Sequence, residues 1–160
     1  MKYAVIDVGS NTVRLCVYDV LCPEKRKFKT IMNRKIMAGL AAYIVDGAFS
    51  DEGIAEAILA VKKCIKRASY LSPDRIDVFA TAVLRNISNS AQAIAAIEQG
   101  AGCTISLLSN ADEAHLGFVG ASSRGTLDDG ALIDIGGGST EITVIENGVD
   151  VARTSLPQGS

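Results

Sequence analysis

Apolar positions near the start of the chain form three runs, each about as long as a β-strand. Residues 2–8 are mostly apolar, residues 13–20 alternate between apolar and polar, and a third run covers about residues 26–36. Turn-forming sequences separate these runs: GSNT between the first two and LCPEKRK between the second and third. The pattern predicts an antiparallel meander of three strands.

A helix is predicted after the meander, because Ile54, Ile58, Val61 and Ile65 recur at helical spacing. Ser50 stands where an N-cap is expected, acidic residues follow it, and lysines and an arginine lie toward the other end. This charge order complements the helix dipole. The basic residues are therefore interpreted as a solvated helix end and not as a nucleic-acid surface.

Strands and helices then alternate until a second meander closes the chain. Residues 120–130, rich in small and polar residues, form the predicted joint, and the turn Asn147-Gly148 predicts a hairpin. The predicted strands cover residues 75–83, 103–109, 131–135, 141–146 and 149–155, and the predicted helices cover 88–100 and 110–123.

This order gives an α/β fold in which a βββαβαβα unit is followed by the opening strands of a second one. The predicted domains are residues 1–124, complete, and residues 125–160, which hold three strands only. The second meander has no helices of its own to cover its apolar face, and we expect the chain to be a fragment of a longer protein. Its exposed strand edge predicts a homodimer.

Composition narrows the function classes. The formal net charge is -2, which gives no support for a nucleic-acid binder. Four cysteines without a CxxC pair and a single histidine argue against a zinc site or a disulfide framework. No secretory leader is recognised, and no apolar run approaches the roughly 18 residues that a membrane span needs. A cytoplasmic protein with no membrane partner is expected.

One short phrase occurs twice. Residues 5–9, VIDVG, match residues 132–136, LIDIG, and small polar residues and a second strand follow each copy. We interpret the match as an internal duplication. Each copy ends a buried strand with a carboxylate and then makes a tight turn.

Such turns suit a phosphate ligand. Glycine lets the backbone approach a ligand closely, and successive free N–H groups form a nest that attracts anions. An aspartate at the strand end suits Mg²⁺, which binds carboxylates, water and phosphate oxygens. Two such turns facing each other would hold a phosphate chain and a metal ion. The alternative is a pair of ordinary hairpin turns. A hairpin turn needs only one or two glycines, however, whereas residues 136–138 are three consecutive glycines.

Four ordered motifs resemble the exopolyphosphatase/guanosine pentaphosphate phosphatase (Ppx/GppA) family of the actin-like ATPase superfamily. They are AVIDVGSNTVRL at 4–15, ATAVLRNISN at 80–89, SNADEAHLGFVG at 109–120 and LIDIGGGSTEI at 132–142, and the closing SLPQGS is similar too. The resemblance implies a ribonuclease H-like fold. It also implies an Mg²⁺-dependent enzyme that removes the terminal phosphate of inorganic polyphosphate or the γ-phosphate of guanosine pentaphosphate.

The resemblance also assigns roles to residues. It implies Glu113 as the base that acts on the attacking water, Arg85 as a second catalytic residue, and Asp134 and Glu141 as residues at the metal. The implied phosphate-binding residues are Asp7, Gly9, Ser10, Asn11, Arg14, Gly136, Gly137, Gly138 and Ser139.

Each assignment has a simpler alternative. Glu113 follows Asn110 at capping-box spacing and could be only a helix cap. Arg85 could be a surface arginine, and Arg14 and Glu141 could be strand residues that face solvent. Two positions depart from the family pattern: Asn110 stands where glycine is usual, and Asp112 where glutamate is usual.

Three functions remain open. The first is a phosphatase, and the sequence does not distinguish polyphosphate from guanosine pentaphosphate as its substrate, so both are retained. A nucleotide-binding ATPase or kinase on the same scaffold is the first rival. A fragment that binds polyphosphate or guanosine pentaphosphate without hydrolysing it is the second.

Overall fold

The computed structural model describes residues 1–24, 27–123, 125 and 127–160. Residues 25 and 26, in the predicted turn before the third strand, and residues 124 and 126, in the predicted joint, lie outside the described residues. The chain forms two compact units, Met1–Leu107 and Leu108–Ser160. These units are defined by packing, and the division into repeats at residues 124/125 stays a prediction.

The first unit is built on a five-stranded sheet. Strands β1 (Lys2–Val8), β2 (Thr12–Cys22) and β3 (Lys27–Met37) form the predicted antiparallel meander. Strands β6 (Arg75–Ala80) and β7 (Ile105–Leu107) extend it in parallel, giving the order β3-β2-β1-β6-β7. The other elements are a 3-10 helix (Leu40–Tyr43), strands β4 (Ile44–Val45) and β5 (Ala48–Phe49), and helices α1 (Asp51–Ser69), α2 (Ala82–Arg85) and α3 (Ser90–Ala101).

One face of this sheet forms the core. Alternate residues of β1 and β2 point to the same face because side chains alternate along a strand. The side chains on the core face are fully buried and pack against α1 in one cluster. Fully burying one large aliphatic side chain stabilises the folded state by about 1.5–3 kcal/mol. The core-face residues are Ala4, Ile6, Val8, Val13, Leu15 and Val17, with Ala57, Ala60 and Val61 from the helix.

The predicted start of α1 is confirmed, because the Ser50 hydroxyl accepts a hydrogen bond from the Gly53 N–H at 3.2 Å. The predicted end of α3 is wrong. The helix runs past Gly100 to Ala101, and Gly102, at φ 71°, forms its C-cap. Gly100 serves packing instead, since a Cβ there would lie 2.5 Å from Ile58 Cδ1.

The strand predicted over residues 75–83 ends at Ala80. Residues 82 and 83 belong to α2, which starts where the Leu84 N–H donates to Thr81 O at 3.1 Å. The prediction is wrong there because a short buried apolar run looks the same in a strand and in a helix. Strand β7 is likewise shorter than the predicted 103–109.

The second unit contains helix α4 (Asn110–Ser122) and the predicted second meander. Strands β8 (Gly130–Ile135), β9 (Thr140–Glu146) and β10 (Val149–Leu156) pair antiparallel in the order β10-β9-β8. Asn147 at φ 52° and Gly148 at φ 73° confirm the tight hairpin turn, since both central residues of that turn need positive φ.

Helix α4 packs on one face of the second sheet, and Thr143 Oγ1 donates to Ala114 O at 3.4 Å. Ala114 and Phe118 are buried, whereas Ile133 and Ile135 of β8 are 58% and 65% exposed. Neither unit, in the residues described, has a helix both long and apolar enough to cross a membrane.

Candidate functional site

The first glycine turn joins β1 to β2. The Gly9 N–H donates to Thr12 O at 3.1 Å, directly above the last strand pair, Val8 and Val13. A Cβ at Gly9 would lie 3.2 Å from that same carbonyl oxygen, a tight contact that the turn would have to relieve by a shift of a few tenths of an ångström. The close approach of two backbone segments therefore favours glycine at this position.

The carbonyl groups of this turn point back into the protein. Ser10 O accepts from the Ala41 N–H at 2.9 Å, and Asn11 O accepts from the Ala38 and Gly39 N–H groups at 3.2 and 3.0 Å. In a trans peptide the C=O and the following N–H point in opposite directions, and the described residues contain no cis peptide. The Asn11 N–H therefore points away from residues 38–41, as an anion-binding turn requires.

The second glycine turn, between β8 and β9, has the same construction. The Gly136 N–H donates to Ser139 O at 2.8 Å above the strand pair Ile135 and Thr140. A Cβ at Gly136 would lie 3.1 Å from Ser139 O. The two turns match in their closing hydrogen bond, in strand register and in the tight space at the first glycine, so the predicted repeat is present in the structure.

Small polar side chains accompany both turns. Ser10 and Ser139 are 6% and 3% exposed, whereas Asn11 is exposed. The two serines are thus held close to the backbone of their turns, and in the first turn the asparagine amide is the side chain open to a ligand.

The strand-end carboxylates differ in what faces them. Asp7 lies directly opposite Arg14, and Asp134 directly opposite Glu141. Directly opposite residues on one face have Cβ atoms about 4.5–5.5 Å apart, so like charges there repel. The first turn therefore has opposite charges at this pair of positions, and the second has two carboxylates, an arrangement that a cation would stabilise.

The solvent-facing alternative is wrong for Glu141, which is buried, whereas Arg14 keeps partial exposure. Arg14 is half-buried, and its Nε donates to Asn33 Oδ1 on β3 at 3.1 Å. Glu141 is 5% exposed, and its Oε1 accepts from the Ser155 hydroxyl on β10 at 2.8 Å. Both side chains are held in place by a neighbouring strand.

Helix α4 has Ser109, and not the predicted Asn110, as its N-cap. The Ser109 hydroxyl accepts from the Asp112 N–H at 3.1 Å and lies 2.6 Å from Asp112 Oδ2, to which it donates. This arrangement places the cap one residue earlier than predicted. It also gives Asp112, which departs from the family pattern, a structural role at the helix start.

Glu113 is half-buried in the first turn of α4, beside the sheet that carries the second glycine turn. Residues four apart lie on the same helix face, so Gly117 shares the face of Glu113. A Cβ at Gly117 would lie 3.8 Å from Asp134 Oδ2, which places this face of α4 over the strand-end carboxylate. The second unit thus gathers Glu113, Asp134 and Glu141 on one side of its sheet.

Helix α4 is joined to β10 by residues that the sequence analysis did not assign to the site. His115 Nδ1 lies 2.7 Å from Asp150 Oδ2 on β10, and Arg153 Nε lies 3.3 Å from the same oxygen. The hydrogen bond from His115, and then the charge of Arg153, hold the pKa of the Asp150 carboxyl below its usual value. No local pattern indicates this pairing, because the helix and the strand are far apart in the sequence.

Arg85 ends α2, just past the carboxyl end of β6. Strands β6 and β1 are parallel and end together, with Ala80 opposite Val8, so α2 and the first glycine turn leave the same edge of the sheet. In open α/β sheets this edge is where ligands bind. Arg85 Nε and Nη2 are buried, so the side chain is not a solvated surface arginine.

Two carboxylates at the second glycine turn suit a Mg²⁺ ion that keeps most of its ligands from water and substrate. Within the described parts of the chain, no three His, Cys, Asp or Glu side chains come together as a metal-binding group. Mg²⁺ is commonly bound by one or two carboxylates, with water and substrate phosphates as the other ligands. The pair Asp134 and Glu141 meets that smaller requirement.

A family model described as the Ppx/GppA phosphatase family matches residues 22–160 of the chain. An exopolyphosphatase from Cytophaga hutchinsonii is 25% identical, with a TM-score of 0.89 over 99% of this chain and 51% of its own. A Ppx/GppA family member from Aquifex aeolicus is 23% identical, with a TM-score of 0.83 over 99% of this chain and 52% of its own.

A more distant similarity is to MreB5 of Spiroplasma citri, solved bound to ADP. It is 17% identical, with a TM-score of 0.50 over 99% of this chain and 52% of its own, and it supports the fold alone. These matches confirm the predicted α/β fold, which this chain shares with Ppx/GppA family members and with MreB5. The chain spans about half the length of the solved structures it matches.

Proposed function

The chain belongs to the Ppx/GppA phosphatase family, and from this premise we propose that it acts in hydrolysis of the terminal phosphoanhydride of inorganic polyphosphate or guanosine pentaphosphate. The observation that carries the proposal is the pair of matching glycine turns, each with a strand-end carboxylate two residues before its first glycine. Outward N–H groups bind phosphate oxygens, and the carboxylates serve a cation that accompanies phosphate.

Binding is assigned to both turns. The Gly9 and Gly136 N–H groups close the turns themselves. The proposed phosphate donors are the N–H groups of residues 10 and 11 with the Ser10 and Asn11 side chains in the first unit, and the N–H groups of residues 137 and 138 with the Ser139 side chain in the second. Arg14, held by Asn33 on β3 and directly opposite Asp7 in the strand pair, places a positive charge near the first turn. Arg85 provides a planar guanidinium that matches phosphate oxygens in pairs.

The chemistry is assigned to Glu113. Its carboxylate takes the proton of the attacking water as the water approaches the terminal phosphorus, and the shortened polyphosphate leaves. Asp134 and Glu141 would hold Mg²⁺, which would stabilise the negative charge on the phosphoryl oxygens. Most of the rate enhancement comes from positioning and from fixed donors, as is general for phosphoryl transfer.

We further propose a cytoplasmic homodimer. The four cysteines are free, as is usual in a reducing compartment. The second unit exposes one face of its sheet and the edge strand β8, and a second copy of the chain is the proposed occupant.

The test of function is phosphate release from polyphosphate and from guanosine pentaphosphate, measured side by side with Mg²⁺. Glu113→Gln keeps the size of the side chain and removes the base, so we expect at least about a 100-fold loss of release with binding retained. The matched control is Glu146→Gln, because Glu146 is an exposed glutamate at the end of β9. This variant should release phosphate at the rate of the parent protein.

Other outcomes identify the rivals. Unchanged turnover in Glu113→Gln ends the assignment of that residue. Formation of ADP from ATP with a sugar or acid acceptor identifies a kinase. Binding of either substrate in a calorimetric titration, without phosphate release by the 160-residue chain or by a longer form of it, identifies a non-catalytic binder.

A further inference from the structure

The segment that follows β10 lies on the second glycine turn. The Ser160 N–H donates to Gly136 O at 2.9 Å, and Thr140 Oγ1 donates to Gln158 O at 2.6 Å. Two hydrogen bonds from opposite sides therefore hold residues 158–160 against the start of β9 and the turn before it.

Gly159 sits closest to the turn. A Cβ at this position would lie 2.5 Å from Gly137 C, 2.5 Å from Gly138 N and 2.7 Å from Gly136 O. All three are backbone atoms, so no side-chain rotation can make room, and the turn itself would have to move. The run of three glycines consequently has a structural reason in addition to phosphate: it meets a fourth glycine backbone to backbone.

The first repeat closes in a related way. Val13 and Thr140 hold the same place in the two turns, and their partners on the third strands are Ile36 and Leu156. Three residues beyond these partners stand Gly39 and Gly159, which are thus equivalent. The Gly39 N–H donates to Asn11 O at 3.0 Å, so in both repeats a glycine after the third strand abuts the turn.

This contact determines where the turn's donors point. Gly136 O accepts a hydrogen bond from the Ser160 N–H, and the same peptide group carries the Gly137 N–H. Because the peptide is trans, the Gly137 N–H points away from residues 158–160. A donor that is fixed before binding costs no reorganisation when an anion arrives. The segment therefore sets the direction of a group that the phosphate site uses.

We infer that Gly159 is a positioning residue for phosphate binding by the turn at residues 136–139. The inference rests on the proposed function, since it assumes that this turn binds phosphate. It adds a third part to the site, the exit of β10, beyond the turn and its carboxylates. A purely structural role would predict a loss of stability with no effect on the ligand affinity of the folded protein.

The experiment uses tripolyphosphate with Mg²⁺ as the probe and measures its affinity by calorimetry. Gly159→Ala should bind about 10- to 100-fold more weakly, the effect of losing one hydrogen bond to a charged group. It should also shift the amide resonances of Gly137 and Gly138. Gly120→Ala, in α4 with open space around it, is the matched control and should bind as the parent does.

A second variant covers a failure of Gly159→Ala to fold. Thr140→Val removes the hydrogen bond to Gln158 O and leaves Gly159 unchanged, and valine is the residue at the equivalent position 13. It should weaken binding in the same direction by a smaller factor. Parent-like affinity in folded Gly159→Ala, or in Thr140→Val if the first does not fold, overturns the inference. A parent that binds no tripolyphosphate instead overturns the proposed function.

Discussion

Two carboxylates lie opposite each other at the second glycine turn, where the first turn has an aspartate and an arginine. Asp134 and Glu141 repel unless a cation separates them, whereas Asp7 and Arg14 have opposite charges. This difference in charge is the reason for proposing the metal at the second turn.

Glu141→Gln tests the metal assignment. The amide oxygen can still accept from Ser155, so the strand should keep its geometry, while one negative charge is lost. We expect the dependence of phosphate release on Mg²⁺ to shift to at least about tenfold higher concentrations. A Mg²⁺ titration that superimposes on that of the parent contradicts the assignment, and Glu146→Gln again provides the control.

At the scale of the elements, α4 is held at three points along its length. Ser109 and Asp112 cap its start, Thr143 bonds its backbone, and His115 joins it to Asp150 on β10. The helix that carries Glu113 is therefore fixed to the sheet by contacts at the two residues that follow it, Ala114 and His115.

The link between His115 and Asp150 makes part of this stability depend on pH. A carboxyl whose pKa is lowered in the folded state stabilises the fold above its unfolded pKa of about 3.9, and the contribution is lost as the pH falls through the folded value. Asp150→Asn should lower the free energy of unfolding at pH 7 by up to about 1 kcal/mol.

Urea unfolding of parent and Asp150→Asn, at pH 7 and near pH 3, measures this effect. The difference between the two proteins should be present at pH 7 and shrink toward pH 3. A difference that stays the same at both values refutes the ionic contribution. Asp46→Asn is the control and should leave the free energy of unfolding unchanged, because Asp46 is exposed and its positive φ of 49° is one that asparagine also adopts.

At the scale of the whole molecule, the two repeats bury the same face to different extents. Ile6 and Val8 of β1 are fully buried beneath α1, whereas their equivalents in β8, Ile133 and Ile135, are mostly exposed. The sequence of the second unit therefore specifies a core face for which the described residues provide no cover.

The proposed dimer gives that face a testable partner. Ile135→Lys places a charge on the exposed face and should reduce self-association by about tenfold or more, with little effect on the folding of the first unit. Leu59→Lys, an exposed apolar residue of α1, should leave the association unchanged. Light scattering over a range of concentrations measures both, and a stable monomer of the parent would count against the dimer.

Local patterns determined a large part of this protein. The period of two in residues 13–20, the glycine and asparagine of the hairpin at 147–148, and the cap at Ser50 each depend on neighbours in the chain, and each is confirmed. The repeat of Val5–Gly9 in residues 132–136 was visible for the same reason, because equal residues at equal spacing make equal turns.

Tertiary structure decided what depends on residues distant in the chain. Glu141 sits on an alternating strand like any exposed residue, and only the packing of α4 and β10 buries it. Likewise, nothing near Gly159 indicates that it meets residues 136–138, since the strands must first pair to bring the segments together. Burial and backbone contact are properties of the packed chain, and the sequence pattern carries only the preference of each residue for its own neighbours.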